Sequence, residues 1–108
     1  MQGMTLGFFT NPQKQSAVDG LLTGLSSGLL QGYSCCVDAS LLPLIPEPLP
    51  TIDQKIPDYI LAFGGDGTIL RAASKAAELG IPILGINLGR VGFLSEITPD
   101  QLQTAFAR

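Results

Sequence analysis

Hydrophobic positions along this chain fall into short apolar runs that alternate with longer stripes of helical spacing. "TLGFFT", Thr5 to Thr10, is an apolar run closed by "NPQ" and predicts a first buried strand. Asn11 and Pro12 have the character of an N-cap and first-turn proline. Between Gln13 and Gln31, Val18, Leu21, Leu22, Leu25, Leu29 and Leu30 recur at three- and four-residue spacing, which predicts a helix with one apolar face. Gly20, Gly24 and Gly28 each weaken such a helix by about 1 kcal/mol relative to alanine, unless close packing against a sheet needs the missing side chains. "YSCCVD", Tyr33 to Asp38, predicts a second strand.

From Ala39 to Asp58 the chain carries five of its eight prolines, which excludes a regular helix or a central strand and predicts an extended surface connection. Tyr59 to Phe63 follows as a third strand, Thr68 to Leu79 as a helix and Ile81 to Ile86 as a fourth strand. Thr98, Pro99 and Gln101 have the form of an N-cap, an N1 proline and a capping box for a last helix. Strands alternating with helices predict an α/β fold, an open and mostly parallel sheet with helices packed against it. Ligands of such sheets bind beyond the carboxyl ends of the strands.

At 108 residues the chain suits one globular unit, 1–108. Apolar residues are 45% and charged residues 14%, a balance that suggests apolar surface facing another domain or subunit. The net charge is −3 and the basic residues are scattered singly, so no basic stripe is available for a nucleic-acid backbone. A nucleotide remains open as a ligand, because backbone amides and a helix N-terminus hold phosphates without basic side chains. Cys35 and Cys36 are adjacent, a spacing that suits buried apolar packing better than a disulfide or a metal site. No apolar run is long enough to span a membrane and "MQGMTLGFF" lacks a basic n-region, so a cytoplasmic protein is expected. Histidine is absent, which removes Ser-His-Asp and Cys-His catalysis and every histidine-containing metal site.

The chemistry concentrates in "YILAFGGDGTILRAASKAAELG", Tyr59 to Gly80. Asp66-Gly67 alone would suit a hairpin, but Ile69, Leu70, Ala73, Ala76 and Ala77 form one helical face, so the unit is strand, turn, helix. Gly64, Gly65 and Gly67 leave no Cβ to block a ligand at the helix N-terminus, where first-turn amides favour phosphate. Thr68 has two roles open to it, capping the helix or donating its hydroxyl to a phosphate. Asp66, an anion at a phosphate cradle, fits either acceptance of a proton from an attacking hydroxyl or organisation of a divalent cation. Arg71 lies one turn further on, as a ligand contact or as a solvated helix residue. A second glycine-rich stretch, "GINLGRVGFL", Gly85 to Leu94, leaves the fourth strand and brings Asn87, Phe93 and Leu94 toward the same rim.

"GGDGT", Gly64 to Thr68, and "GINLGRVGFL" together resemble the NAD kinase family, which phosphorylates NAD to NADP from ATP or polyphosphate. The first motif alone is shared with diacylglycerol and sphingosine kinases; the second is the more specific. The resemblance implies a Rossmann-like amino-terminal domain in which Asp66 activates the 2′-hydroxyl of the adenosine ribose. Gly67 and Arg71 would lie at the bound dinucleotide, Gly64, Gly65 and Thr68 at phosphates, and Phe93 at the adenine, with Asn87 and Leu94 shaping the loop. Mg2+ would arrive with ATP. Members of the family continue into a mainly β carboxy-terminal domain that supplies an Asn-Glu or Asn-Asp pair and much of the NAD pocket. This chain therefore resembles the first domain only, with little catalysis expected of it alone and a homo-oligomer expected of the full-length protein. A lipid kinase of the same superfamily and a non-catalytic nucleotide-binding module are the alternative readings.

Overall fold

A computed structural model describes residues 3–87. Four strands form one sheet: β1 (Thr5–Thr10), β2 (Ser34–Val37), β3 (Tyr59–Gly64) and β4 (Ile83–Asn87). The helices are α1 (Gln15–Leu30), between β1 and β2, and α2 (Asp66–Leu79), between β3 and β4. All pairings are parallel and the spatial order is β2-β1-β3-β4. The expected α/β architecture is thus present, with every strand of the described residues running the same way.

Side-chain alternation along the strands builds two cores. On one face Leu6, Phe8, Cys35, Val37, Leu61, Phe63 and Ile86 meet Leu21 and Leu25 of α1. On the other, Cys36, Ile60 and Ala62 meet Ile69, Ala72 and Ala76 of α2. Phe8 and Phe63 stack with ring centroids 6.1 Å apart and are fully buried, so each contributes roughly 1.5–3 kcal/mol of burial to the middle of the sheet. Gly24 and Gly28 lie on the buried face of α1, which gives those glycines the close packing the sequence called for.

The chain steps one way across the sheet from β1 to β2 and the other way from β2 to β3 and on to β4. A constant crossover hand then demands that α1 lie on one face, with α2 and the β2–β3 connection on the other. The two cores show α1 and α2 on opposite faces, while the connection contributes to both, Leu41 to the α1 layer and Ile52 to the α2 layer. Both helices end in paired Schellman hydrogen bonds at a glycine: Tyr33 to Gly28 and Gly32 to Leu29, then Ile81 to Ala76 and Gly80 to Ala77. Parallel strands put these closed helix ends on the amino rim of the sheet and both helix N-termini on the carboxyl rim.

Four local expectations are corrected. Asn11-Pro12 does not open α1: the Asn11 side chain accepts from Gln13 N–H at 3.0 Å, its carbonyl accepts from Lys14 N–H, and the helix begins at Gln15 with Lys14 as N-cap. The proline-rich connection is not simply extended. Asp38 caps a 3-10 helix over Ala39–Leu44, Leu41, Ile52 and Pro57 are buried, and Thr51 bridges to Val37. Pro57 lies so close over Gly7 that a Cβ there would sit 2.7 Å from its ring. The third correction concerns α2, which starts at Asp66 and buries Thr68, Ile69, Ala72 and Ala76 while Leu70 is 58% exposed. Finally, β4 begins at Ile83, two residues later than its apolar run. The expected helix after Thr98 lies outside the described residues.

Candidate functional site

Strand order puts a topological switch point between β1 and β3, because the connections leaving these neighbours cross opposite faces. Gly64 ends β3 and opens the crevice. Its φ of +149° is a conformation that side-chain-bearing residues rarely adopt, and a Cβ there would lie 3.0 Å from Thr68 Cβ and 3.2 Å from Thr68 Oγ1. Gly64 is therefore a requirement of the fold. It lets β3 turn into α2 with one intervening residue, Gly65, the N-cap at φ −89° and ψ −176°.

Gly65 and Gly67 are different. Neither has a positive φ, and a Cβ at either would meet nothing within 4 Å. Among the described residues no contact demands glycine at these two positions. Asp66 stands between them as the first residue of α2, half-buried, where a carboxylate is favoured by the partial positive charge of the helix N-terminus. Gly65 offers no side chain to the first-turn amides, and no side-chain cap bond is made. The turn thus presents backbone N–H groups, one acid and open space.

Thr68 does not cap the helix. It lies at the third helical position, 8% exposed, and packs its side chain on Gly64. Arg71 is exposed on the outer surface of α2. Asn87 is the last residue of β4 and lies in register with Gly64, so the second glycine-rich stretch begins beside the first turn. Phe93 and Leu94 lie outside the described residues. Absent from the sequence reading was Thr10, at the end of β1: it is 2% exposed and its Oγ1 donates to the Phe63 carbonyl at 2.5 Å. A threonine closing an apolar strand gives no sequence signal of a partner 53 residues away.

The two thiols play no part in this rim. Burial, first of all, pushes both Cys35 and Cys36 up to about 11, and Cys36 Sγ donates to the Lys55 carbonyl at 3.2 Å. Among the described residues no three His, Cys, Asp or Glu side chains converge on a point that could hold a metal. A hard cation such as Mg2+ retains waters and needs only one or two carboxylates beside the phosphates that carry it, a requirement the single Asp66 carboxylate fits. No helix among the described residues is long and apolar enough to cross a membrane.

Comparison with known proteins converges on one family. Residues 46–108 match the family model described as the ATP-NAD kinase N-terminal domain. The chain is 55% identical over 51 residues to an NAD kinase of Rhodococcus erythropolis, covering 47% of this chain and 16% of that protein. It is 39% identical over 98 residues to NAD kinase 2 of Streptomyces avermitilis, covering 84% of this chain and 31% of that protein. The chain therefore spans less than a third of the length of either relative. Among solved structures, yeast NADH kinase complexed with NADH superposes with a TM-score of 0.71 over 96% of this chain and 37% of that one. At 19% identity that likeness establishes the shared fold alone.

Proposed function

From the premise that this chain belongs to the NAD kinase family, whose amino-terminal-domain model it matches over residues 46–108, we propose that it is the nucleotide-binding part of an NAD kinase. The observation that carries the reading is the pair Gly65 and Gly67, glycines with open space around them on either side of Asp66 at a helix N-terminus. The reaction is transfer of the terminal phosphoryl group of ATP, or of polyphosphate, to the 2′-hydroxyl of the adenosine ribose of NAD.

Asp66 accepts the hydroxyl proton as the ribose oxygen forms its bond to phosphorus. The bond between that phosphorus and the bridging oxygen breaks, and its electron pair leaves with ADP. The amides around Gly65 and Gly67 hold phosphate oxygens at the α2 N-terminus, where the absence of Cβ atoms permits close approach. Thr68 contributes by its packing on Gly64, and its hydroxyl lies at the edge of the same cradle. Arg71 reaches the dinucleotide from the outer surface of α2, and Phe93 faces the adenine, with Asn87 and Leu94 shaping the loop. Mg2+ would be held by the ATP phosphates and would supply charge neutralisation at the transferring phosphate. Positioning and electrostatics account for the rate of such a transfer, so a second domain that closes over the ribose is part of the proposal. The complete gene product is cytoplasmic and assembles as a homo-oligomer.

The test is NADP formation from NAD and Mg-ATP by the complete gene product beside the 108-residue chain. Turnover in the longer protein alone supports both the kinase and the need for a second domain. Turnover of a sphingoid or diacylglycerol alcohol in place of NAD would transfer the same turn to a lipid substrate, and nucleotide binding without any turnover would leave a binding module.

A further inference from the structure

Thr10 closes β1, and its hydroxyl reaches across to the carbonyl that immediately precedes Gly64. That carbonyl and the Gly64 N–H belong to one planar peptide group. From this plane the chain completes its reversal into α2 within two residues, Gly64 at φ +149° and Gly65 as N-cap, and the next residue is Asp66. The turn is therefore short enough that the orientation of the Phe63–Gly64 plane sets the position of the Asp66 backbone. On the opposite side the Thr68 side chain closes on Gly64. Thr10 and Thr68 thus flank a segment, Gly64 to Gly67, in which Asp66 carries the one side chain.

Strand pairing does not need this hydroxyl. Thr10 is already in register with Phe63 through the β1–β3 ladder, which runs through five residue pairs. The extra bond has a different target, the plane at the mouth of the turn. We propose that Thr10 is a positioning residue that fixes the Gly64-Gly65-Asp66 turn, and through it the carboxylate that takes the ribose proton. The inference rests on the kinase reading for its catalytic consequence and on geometry alone for its structural one. An error of about 1 Å in a reacting group costs on the order of a hundredfold in rate. Partial loosening of the turn accordingly lowers kcat by about tenfold.

The experiment compares Thr10→Val, which keeps the branched shape and removes the donor, with Thr10→Ser, which keeps the donor, in the complete gene product. Expected for Thr10→Val are an approximately tenfold fall in kcat, with KM for NAD and Mg-ATP nearly unchanged, and displaced amide resonances of Gly64, Gly65 and Gly67 in 15N-glycine-labelled protein. Thr10→Ser restores both. Glycine resonances in Thr10→Val that coincide with wild type overturn the proposal, as does a kcat that serine fails to rescue. The resonances require no turnover, so a wild-type protein that forms no NADP removes the kinase reading while the glycine shifts still decide the role of Thr10. If Thr10→Val does not fold, Thr10→Ala set against Thr10→Ser provides the same contrast.

Discussion

The chain leaves β1 and β3 side by side on the carboxyl rim of the sheet, and each exit leads into a helix. The first takes four residues, Asn11 to Lys14, and supplies its own hydrogen bonds: Asn11 accepts from Gln13 through its side chain and from Lys14 through its carbonyl. The second takes one residue, Gly65, which has no side chain of its own. One exit is a polar turn bonded within itself ahead of its helix; the other is a glycine turn beside an acid, and neither helix receives a side-chain cap bond. The difference teaches where a ligand belongs on a rim that has two helix N-termini. Within the second turn Gly64 is required by the fold, whereas Gly65 and Gly67 meet no contact among the described residues and are where the proposed ligand would approach.

Replacing the acid tests this contrast most severely. Asp66→Asn in the complete gene product should lower kcat by about 10²–10⁴-fold while NAD affinity changes little, measured by NADP formation and by dinucleotide titration. Full activity in that variant would reduce the β3 exit to the status of the β1 exit. The glycines come next, because they separate fold from function within a single turn. Gly64→Val should destabilise the protein by about 1–3 kcal/mol or more through its strained φ and the clash with Thr68, seen as a lowered Tm. Gly65→Val should lower Tm much less than Gly64→Val, by no more than the loss of an N-cap glycine, and raise KM for Mg-ATP by roughly tenfold, since its side chain enters space that no described residue occupies. Equal effects of the two substitutions on Tm would erase the distinction between them. The smallest effect is expected at the other exit: Asn11→Ala should cost about 0.5–1.5 kcal/mol of stability with kcat within twofold of wild type. A loss of turnover comparable to that of Gly65→Val would make the two exits functionally equivalent.

Much of this was legible in the sequence because periodicity and backbone chemistry are local. Tyr59 to Phe63, the glycines and the helical stripe beyond them specify strand, turn and helix without knowledge of the rest of the molecule, and the expected parallel sheet follows from repetition of that unit. The misreadings have tertiary causes. Leu70 joined the buried face on paper since it neighbours Ile69, but the sheet takes Ile69, Ala72 and Ala76 and leaves Leu70 58% exposed. Prolines correctly ruled out regular structure between Ala39 and Asp58, yet proline content says nothing about Ile52 and Pro57 covering the sheet. Thr68 sat at a plausible cap position and is instead a packing partner of Gly64, because α2 begins two residues earlier than its apolar pattern. Thr10 was invisible for the plainest reason, that its partner is far away in sequence.

That distance has a kinetic consequence. The β1–β2 pair encloses a single helix, whereas the β1–β3 junction joins residues 53 positions apart, so its formation bears a larger loop-closure cost and suits a late event in folding. The candidate site straddles this late seam. A nucleotide seated on it would bind only chains whose two central strands have already met, and would draw the folding equilibrium toward them by mass action. A ligand bound across that junction would thereby report that the sheet supporting it has assembled.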